Sequence, residues 1–254
     1  MKKAIVLTAL MALLIPSLSH ADVVNFNVGF FFPRANSNNP DSLWQIEFEN
    51  MDFTKSDFNA TNFGFAYEYF LSNNFSLMLS VDGYSRQRLG QYEGYVSEEI
   101  DQEIWAFDYG EGFPVTHVFS VSVTPIQLSF KMAPLGRTGR VIPYLGGGIG
   151  VYLWNVRLQG EMIDFNDAEL FYDPGLDEDV WGYYVYQVDA REQSRLTLGY
   201  HAFAGFMVPV ANRISLDIGF KYSIVTGALT EGFEGFPDFD LGGYTVILGM
   251  NYWF

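Results

Sequence analysis

The chain of 254 residues contains no cysteine. That excludes disulfide cross-links, a thiol nucleophile and thiolate metal sites. Cations are scarce as well, with 14 Lys and Arg against 30 Asp and Glu, for a formal net charge of −16. A surface of that sign argues against nucleic acid as a partner and against general attraction to anionic lipid. Histidine is reduced to His20, His117 and His201, which leaves few bases for acid–base or nucleophilic chemistry. Long hydrophobic runs are missing after the first sixteen residues, every later one being broken by Gly, Asn, Ser or charge. A helical span needs about 20 consecutive apolar residues, so a helical membrane protein is excluded.

What is present begins at the amino-terminus. Lys2 and Lys3 precede an apolar run over residues 4–15, then Pro16, and Ser19-His20-Ala21 puts small residues at both positions a signal peptidase reads. Residues 1–21 are expected to be a cleaved export signal and residues 22–254 a single all-β domain, for which the length is ample. Aromatic residues make up 18% of the chain, a content suited to strands whose outer faces end in aromatic girdles.

From residue 22 onward the signal is period two. Residues 241–254 put Tyr244, Val246, Leu248, Met250, Tyr252 and Phe254 on alternate positions, with Gly243, Thr245, Gly249 and Asn251 between them. This is a β-strand with one apolar face and one small or polar face. Seven earlier stretches read the same way, at 22–32, 59–70, 75–86, 116–132, 141–156, 194–208 and 214–225. Within 116–132 the phase slips, since Phe119, Val121 and Val123 are odd whereas Ile126, Leu128 and Phe130 are even. A bulge at Thr124-Pro125 is expected to absorb the extra residue. Gly146, Gly147, Gly148 and Gly150 permit sharp coiling of the fifth stretch, or approach of a bulky side chain from across the lumen. A phosphate cradle is not favoured, because neither Gly-Lys-Ser/Thr nor a helix follows.

Connections alternate long and short. The long ones, 33–58, 87–115, 158–193 and 226–240, hold 26 of the 30 acidic residues and leave only Asp22, Glu68, Asp82 and Asp217 elsewhere. The short turns 71–74, 133–139 and 209–213, with their flanks, carry Lys131, Arg137, Arg140 and Arg213. Outer strand faces hold Phe, Leu and Tyr, where a soluble barrel would keep them polar. A bilayer requires such faces and a sheet without free edges. The expected fold is therefore all-β: an eight-stranded antiparallel up-and-down transmembrane β-barrel with four long acidic extracellular loops and three short periplasmic turns. Residues 241–254 close it, paired with 22–32 and 214–225.

This pattern, together with Pro143-Tyr144-Leu145-Gly146-Gly147-Gly148 and the terminal Tyr252-Trp253-Phe254, resembles the small outer-membrane barrel proteins of Gram-negative bacteria, the group of the OmpA membrane domain and the OmpX and OmpW types. The resemblance covers 22–254. It implies residence in the outer membrane, contact with its lipid and lipopolysaccharide, and a barrel-assembly machinery that reads Tyr252, Trp253 and Phe254 as its signal. It implies a monomer without cofactor. The cell-wall tether that full-length OmpA carries beyond its barrel is not expected.

Eight strands leave an interior just wide enough for side chains to fill it. Counted from the short turns, Glu68 and Asp217 fall at similar low depth, and Asp82, His201 and Lys221 nearer mid-height. Buried charges need partners, so a lumenal cluster is expected in which Lys221 meets Asp82 or Asp217 with His201 close by. As fixed pairs it is a plug; with exchanging pairs it is a gate. The first functional expectation is a non-enzymatic structural or surface-interacting barrel with a narrow, largely plugged lumen and an extracellular partner met through its loops. The alternative is an OmpW-like passive route for a small hydrophobic compound, lined by Phe31, Tyr144, Tyr152, Trp154 and Phe203. A third reading is a lipid A-modifying enzyme, which needs a nucleophile, a base and an orienting acid. His117-Val118-Phe119 and His201-Ala202-Phe203 lack the His-x-Ser of the lipid A deacylases. His117 is expected at a strand end and His201 inside.

Two features of the loops complete the reading. The acidic stretch 173–179 offers oxygen ligands for Ca²⁺, but its spacing is not that of an EF-hand. Trp105, Phe107, Tyr109, Phe171, Tyr172, Trp181, Tyr183 and Tyr184 are too many aromatics for mobile tails. The long loops are expected to extend the sheet or fold over the mouth, leaving an apolar surface for a partner.

Overall fold

The computed structural model describes residues 22–254 apart from 37, 38, 109, 111, 174 and 193–195. The expected export signal at 1–21 and Tyr109 lie outside the described residues. In chain order the strands are β1 (Val23–Pro33), β2 (Ala60–Phe70), β3 (Phe75–Ile100), β4 (Glu103–Phe107), β5 (Phe113–Met132), β6 (Ile142–Asp173), β7 (Glu178–Glu192), β8 (Thr197–Ala211), β9 (Ile214–Ile224), β10 (Thr226–Gly227), β11 (Phe239–Asp240) and β12 (Gly243–Trp253). All but β10 and β11 belong to one antiparallel sheet of ten. Pairing runs β1–β2–β3–β5–β6–β8–β9–β12 and returns from β12 to β1, so that circuit has no free edge. β4 and β7 close a second, smaller circuit with the far ends of β3, β5 and β6.

The sheet thus has ten strands where eight are expected, and its main closed circuit runs through eight of them. Residues 87–115 and 158–193, read from the sequence as loops, are largely strand, and Tyr92, Ile163 and Val185 in them are buried. The bulge expected at Thr124-Pro125 is absent: the register of β5 against β6 runs unbroken from His117 to Met132. Odd-numbered β5 side chains face inward from Val115 to Lys131. What changes is the interior itself, polar around Gln127, Ser129 and Lys131 and apolar around Phe119, Val121 and Val123.

Outward positions make a belt of Phe26, Val28, Phe63, Phe65, Leu198, Ile218 and Leu248, among others, with Phe63 70% and Leu198 74% exposed. Contiguous apolar area on this scale is rare on a water-facing surface. It calls for an apolar solvent, and the closed circuit meets the requirement that every backbone group in such a solvent be paired internally.

Between β1 and β2 the chain forms helix α1 (Leu43–Asn50) and a 3₁₀ turn, Lys55–Phe58. Ser42 caps α1 by accepting from the Gln45 amide at 3.3 Å. Eight residues are too few to hold a helix in water alone. Burial of Leu43, Trp44 and Glu47 holds this one, and it carries α1 into the end of the barrel remote from the short turns.

Candidate functional site: the barrel interior

Period two turns every second side chain inward, and the interior has two storeys. In the lower one, nearest the short turns, Glu68 is buried among donors. Lys131 Nζ donates to it at 2.8 Å, Ser76 Oγ at 2.5 Å and Arg137 Nη2 at 3.3 Å. Arg137 comes from the β5–β6 turn, donates to the Ser72 carbonyl at 2.7 Å and lies 4.0 Å from the centre of the Phe70 ring. Lys131 Nζ also sits 4.2 Å over the Tyr144 ring, whose hydroxyl donates to Asp217 Oδ1 at 2.5 Å. Tyr144 can cross the wall here because Gly205 and Gly219 lack a Cβ, which would fall 2.4 and 2.7 Å from its hydroxyl oxygen.

Higher up, Lys221 pairs with Asp82 and donates to Gln127 Oε1 at 3.0 Å, while Gln127 Nε2 donates to the Tyr152 hydroxyl at 2.8 Å. His201 Nε2 and Ser129 Oγ share a hydrogen bond of 2.7 Å, and the imidazole stacks on Phe203. The five expected polar residues thus divide. Lys221 takes Asp82 with His201 nearby, whereas Asp217 takes Tyr144 and Glu68 takes Lys131. The cavity among these groups is ≈ 60 Å³, room for a few waters.

Above Tyr152 the interior turns apolar. Trp44 of α1 stacks on Phe239 with ring centres 4.9 Å apart and meets Phe58 and Phe119 edge-on at 5.0 and 5.4 Å. Its indole N–H donates to the Asp240 carbonyl at 2.9 Å. The Asp240 carboxylate in turn holds Arg34 through two bonds of 2.7 Å. On the other flank of the helix, Glu47 Oε2 meets His117 Nε2 at 2.8 Å, both side chains buried. His117 is therefore a wall residue of this storey, not the strand-end residue expected.

Phe31, Tyr144, Tyr152, Trp154 and Phe203 all face inward, yet they do not share one surface. Tyr144 and Phe203 belong to the lower storey and Phe31, Tyr152 and Trp154 to the upper core. The glycine-rich part of β6 admits a neighbour rather than a residue from across the lumen: Gly146 pairs with Phe203 on adjacent β8, and a Cβ there would lie 2.4 Å from Phe203 Cζ. At the terminus Tyr252 and Phe254 point outward, their rings 5.2 Å apart. Trp253 turns inward, its Nε1 donating to Ser215 Oγ at 2.9 Å.

Sequence reasoning missed two parts of this site. Lys131 was legible, since it continues the inward series Gln127, Ser129, but grouping it with the turn cations hides that phase. The α1 stopper carries no comparable signal in residues 33–58. In the acidic stretch 173–179 two carboxylates serve the local turn, Asp173 Oδ1 accepting from the Gly175 amide and Asp177 Oδ1 from the Tyr172 hydroxyl, each at 2.6 Å. Among the described residues no group of three His, Asp or Glu is arranged to hold a metal ion.

Solved structures similar to this chain include three outer-membrane proteins. Neisserial surface protein A (NspA) shares 11% identity over 93% of this chain and 100% of its own, with a TM-score of 0.48. The N-terminal β-barrel domain of Pseudomonas aeruginosa OprF shares 11% over 92% and 100%, with a TM-score of 0.41. Ail, the attachment invasion locus protein of Yersinia pestis, shares 12% over 92% and 97%, with a TM-score of 0.40. A search of curated proteins gives no match. The sequence profile described as "Outer membrane protein beta-barrel domain" matches residues 5–254, and with the closed sheet, apolar belt and filled interior in view, the chain belongs to that family.

Proposed function

We propose that the protein is an eight-stranded transmembrane barrel of the outer membrane that acts through its extracellular face, as a structural or surface-interacting protein, and not as a pore. The eight strands of the main circuit cross the bilayer and the long connections stand outside it. The observation that carries this reading is Trp44. Buried to 1% exposure, it holds α1 in the mouth of the barrel as a stopper, above a lower storey already filled by paired charges.

The passive-route alternative calls for a continuous apolar channel, and the separation of Tyr144 and Phe203 from Phe31, Tyr152 and Trp154 by the Lys221–Asp82–Gln127 layer weighs against it. For catalysis, Ser129 and His201 have the spacing of a nucleophile and its base. However, His201 Nδ1 is buried without a hydrogen-bond partner, so no acid orients the ring, and both residues face the lumen away from any lipid. The barrel-assembly machinery is the proposed reader of Tyr252, Trp253 and Phe254.

Single-channel recording of the refolded barrel in planar bilayers tests the proposal. The wild type is expected to show no resolved open state, and liposomes containing it no faster uptake of small hydrophobic solutes than empty ones. A stable open state, or accelerated uptake, would move the assignment to the passive route.

A further inference from the structure

The stretches 89–130 and 158–190 hold seven and nine Asp and Glu respectively, and no Lys or Arg. They include β4, β7 and the far ends of β3 and β6, which continue the sheet beyond the apolar belt. Like charges at this density repel one another, and no Lys or Arg of the same stretches answers them. A partner that fits this end of the molecule is therefore one that brings positive charge.

Two hairpins of this region meet around a cavity of ≈ 210 Å³. In the β3–β4 hairpin Glu98 opposes Trp105, and in the β6–β7 hairpin Phe171 opposes Val180 and Asp173 opposes Glu178. Directly opposed residues share a face of the sheet, and Phe107, two residues along from Trp105, has the same phase. The pairing of Trp105 with Tyr184 joins the hairpins. Buried Phe107 and Val180 with half-buried Phe171 make the apolar wall of the cavity, and exposed Glu98 and Tyr172 with half-buried Asp173 make its polar part. Phe107 and Phe171 meet edge to face, their ring centres 5.6 Å apart. Gly182 makes room for both rings, since a Cβ there would lie 2.7 Å from Phe171 Cε2 and 2.9 Å from Phe107 Cε1. Asp173 is held in place by the Gly175 and Leu176 amides, which donate to its Oδ1 at 2.6 and 3.3 Å. Among the described residues neither Glu98 nor Asp173 is paired with a Lys or Arg.

Aromatic rings and two carboxylates around one cavity suit a cation on an alkyl stem: the carboxylates and the ring quadrupoles attract the charge, and the apolar wall takes the stem. We infer that this cavity receives a Lys or Arg side chain of a basic polypeptide that docks on the two hairpins. A polypeptide, and not a free amine, follows from the extent of the charge. Glu99, Asp101, Glu103, Asp177, Glu178 and Asp179 lie exposed on the same hairpins, more than a single ammonium group neutralises, and a chain with several cations answers them together. The inference rests on the proposed surface-interacting role and names the chemistry of the partner.

The test uses the full barrel refolded in phosphatidylcholine nanodiscs and a fluorescein-labelled peptide of alternating Lys and Ser, with its Nε-acetylated counterpart as the uncharged probe and anisotropy as the readout. Wild type is expected to bind the lysine peptide and not the acetylated one. Glu98→Gln and Asp173→Asn, which keep the shape of each side chain and the acceptor of the 173–176 turn, should each weaken binding about fivefold. Asp167→Asn removes the same charge at the β6 irregularity, outside the cavity lining, and should change binding less than about twofold. Equal weakening by Asp167→Asn would reduce the site to the diffuse field of the acidic residues and overturn the cavity. Unchanged binding in both cavity variants, or binding of the acetylated peptide, would overturn it as well. Displacement by spermidine at equal amine concentration would give the cavity to a free amine and overturn the polypeptide. Labelling of Leu176→Cys in intact cells with a membrane-impermeant maleimide reads the orientation by itself. Labelled cells whose protein fails to bind the peptide overturn the cavity alone, and unlabelled cells overturn the surface role and the site with it.

Discussion

Glu68 is tolerable inside the wall only because Lys131, Arg137 and Ser76 all donate to it. Removing one member of a buried pair strands the other's charge, at a cost of about 3–5 kcal/mol. Lys131→Met should therefore lower the urea midpoint of the refolded barrel substantially, and the double variant Glu68→Gln/Lys131→Met should recover most of the loss. No recovery would mean that Lys131 acts by packing over Tyr144 and not through charge. Asp57 gives a residue-scale prediction in the loop. The Thr54 hydroxyl and amide hold its carboxyl below the usual carboxylate range, helped by Arg88. The stability this lends to the turn is present above the ordinary carboxylate pKa and lost as pH falls through the lowered value. Exchange of the Thr54 amide should quicken at acid pH in wild type, and Asp57→Asn should remove that pH dependence. At this scale the inward phase of Lys221 and Asp82 is legible in the sequence, whereas the partner of Asp217 is not, because a tyrosine with that phase reads equally as apolar lining.

Among the elements, α1 departs most from the sequence reading. Period two marks β1, β2, β8, β9 and β12 within a few residues of their observed ends, because one face meets side chains and the other an apolar solvent. β3, β5 and β6 continue beyond the belt, where the outer face becomes polar and the inner face apolar. That inversion made Phe119, Val121 and Val123 look like outward residues and suggested a bulge that does not exist. Helix α1 has no period to betray it, since Trp44 is specified by a pocket assembled from Phe58, Phe119 and Phe239, far apart in the chain. Trp44→Ala should cost about 3–5 kcal/mol, localised to the stopper. The barrel strands should stay protease-resistant while cleavage within 33–59 accelerates. Loss of resistance across all strands would show that α1 is part of the barrel's own stability.

For the whole molecule, the terminal strand is a seam. β12 pairs with β1 over Val23↔Trp253 to Pro33↔Gly243 and with β9 on its other side, so the apolar edge that a free strand would expose is consumed. Phe254 adds an outward ring beside Tyr252 and one terminal backbone bond, its amide donating to the Asp22 carbonyl at 3.0 Å. Its deletion should reduce outer-membrane assembly in cells while leaving the urea midpoint of detergent-refolded protein within about 0.5 kcal/mol of wild type, as for an ordinary surface change. Equal losses in both assays would remove the assembly-signal reading. Charge is partitioned at this scale too. Carboxylates crowd the long connections, and the buried Glu68, Asp82 and Asp217 of the lumen are matched in number by Lys131, Arg137 and Lys221.

Helix α1, with Leu43, Trp44 and Glu47 buried, plugs the barrel end remote from the short turns. The indole N–H of Trp44, donated to the Asp240 carbonyl inside the upper core, reports on the seal directly. Hydrogen exchange of that proton, followed by NMR in nanodiscs, should be as slow as that of the amides of β1 and β12. Exchange at the rate of an exposed loop indole, with the strand amides still protected, would contradict a sealed mouth.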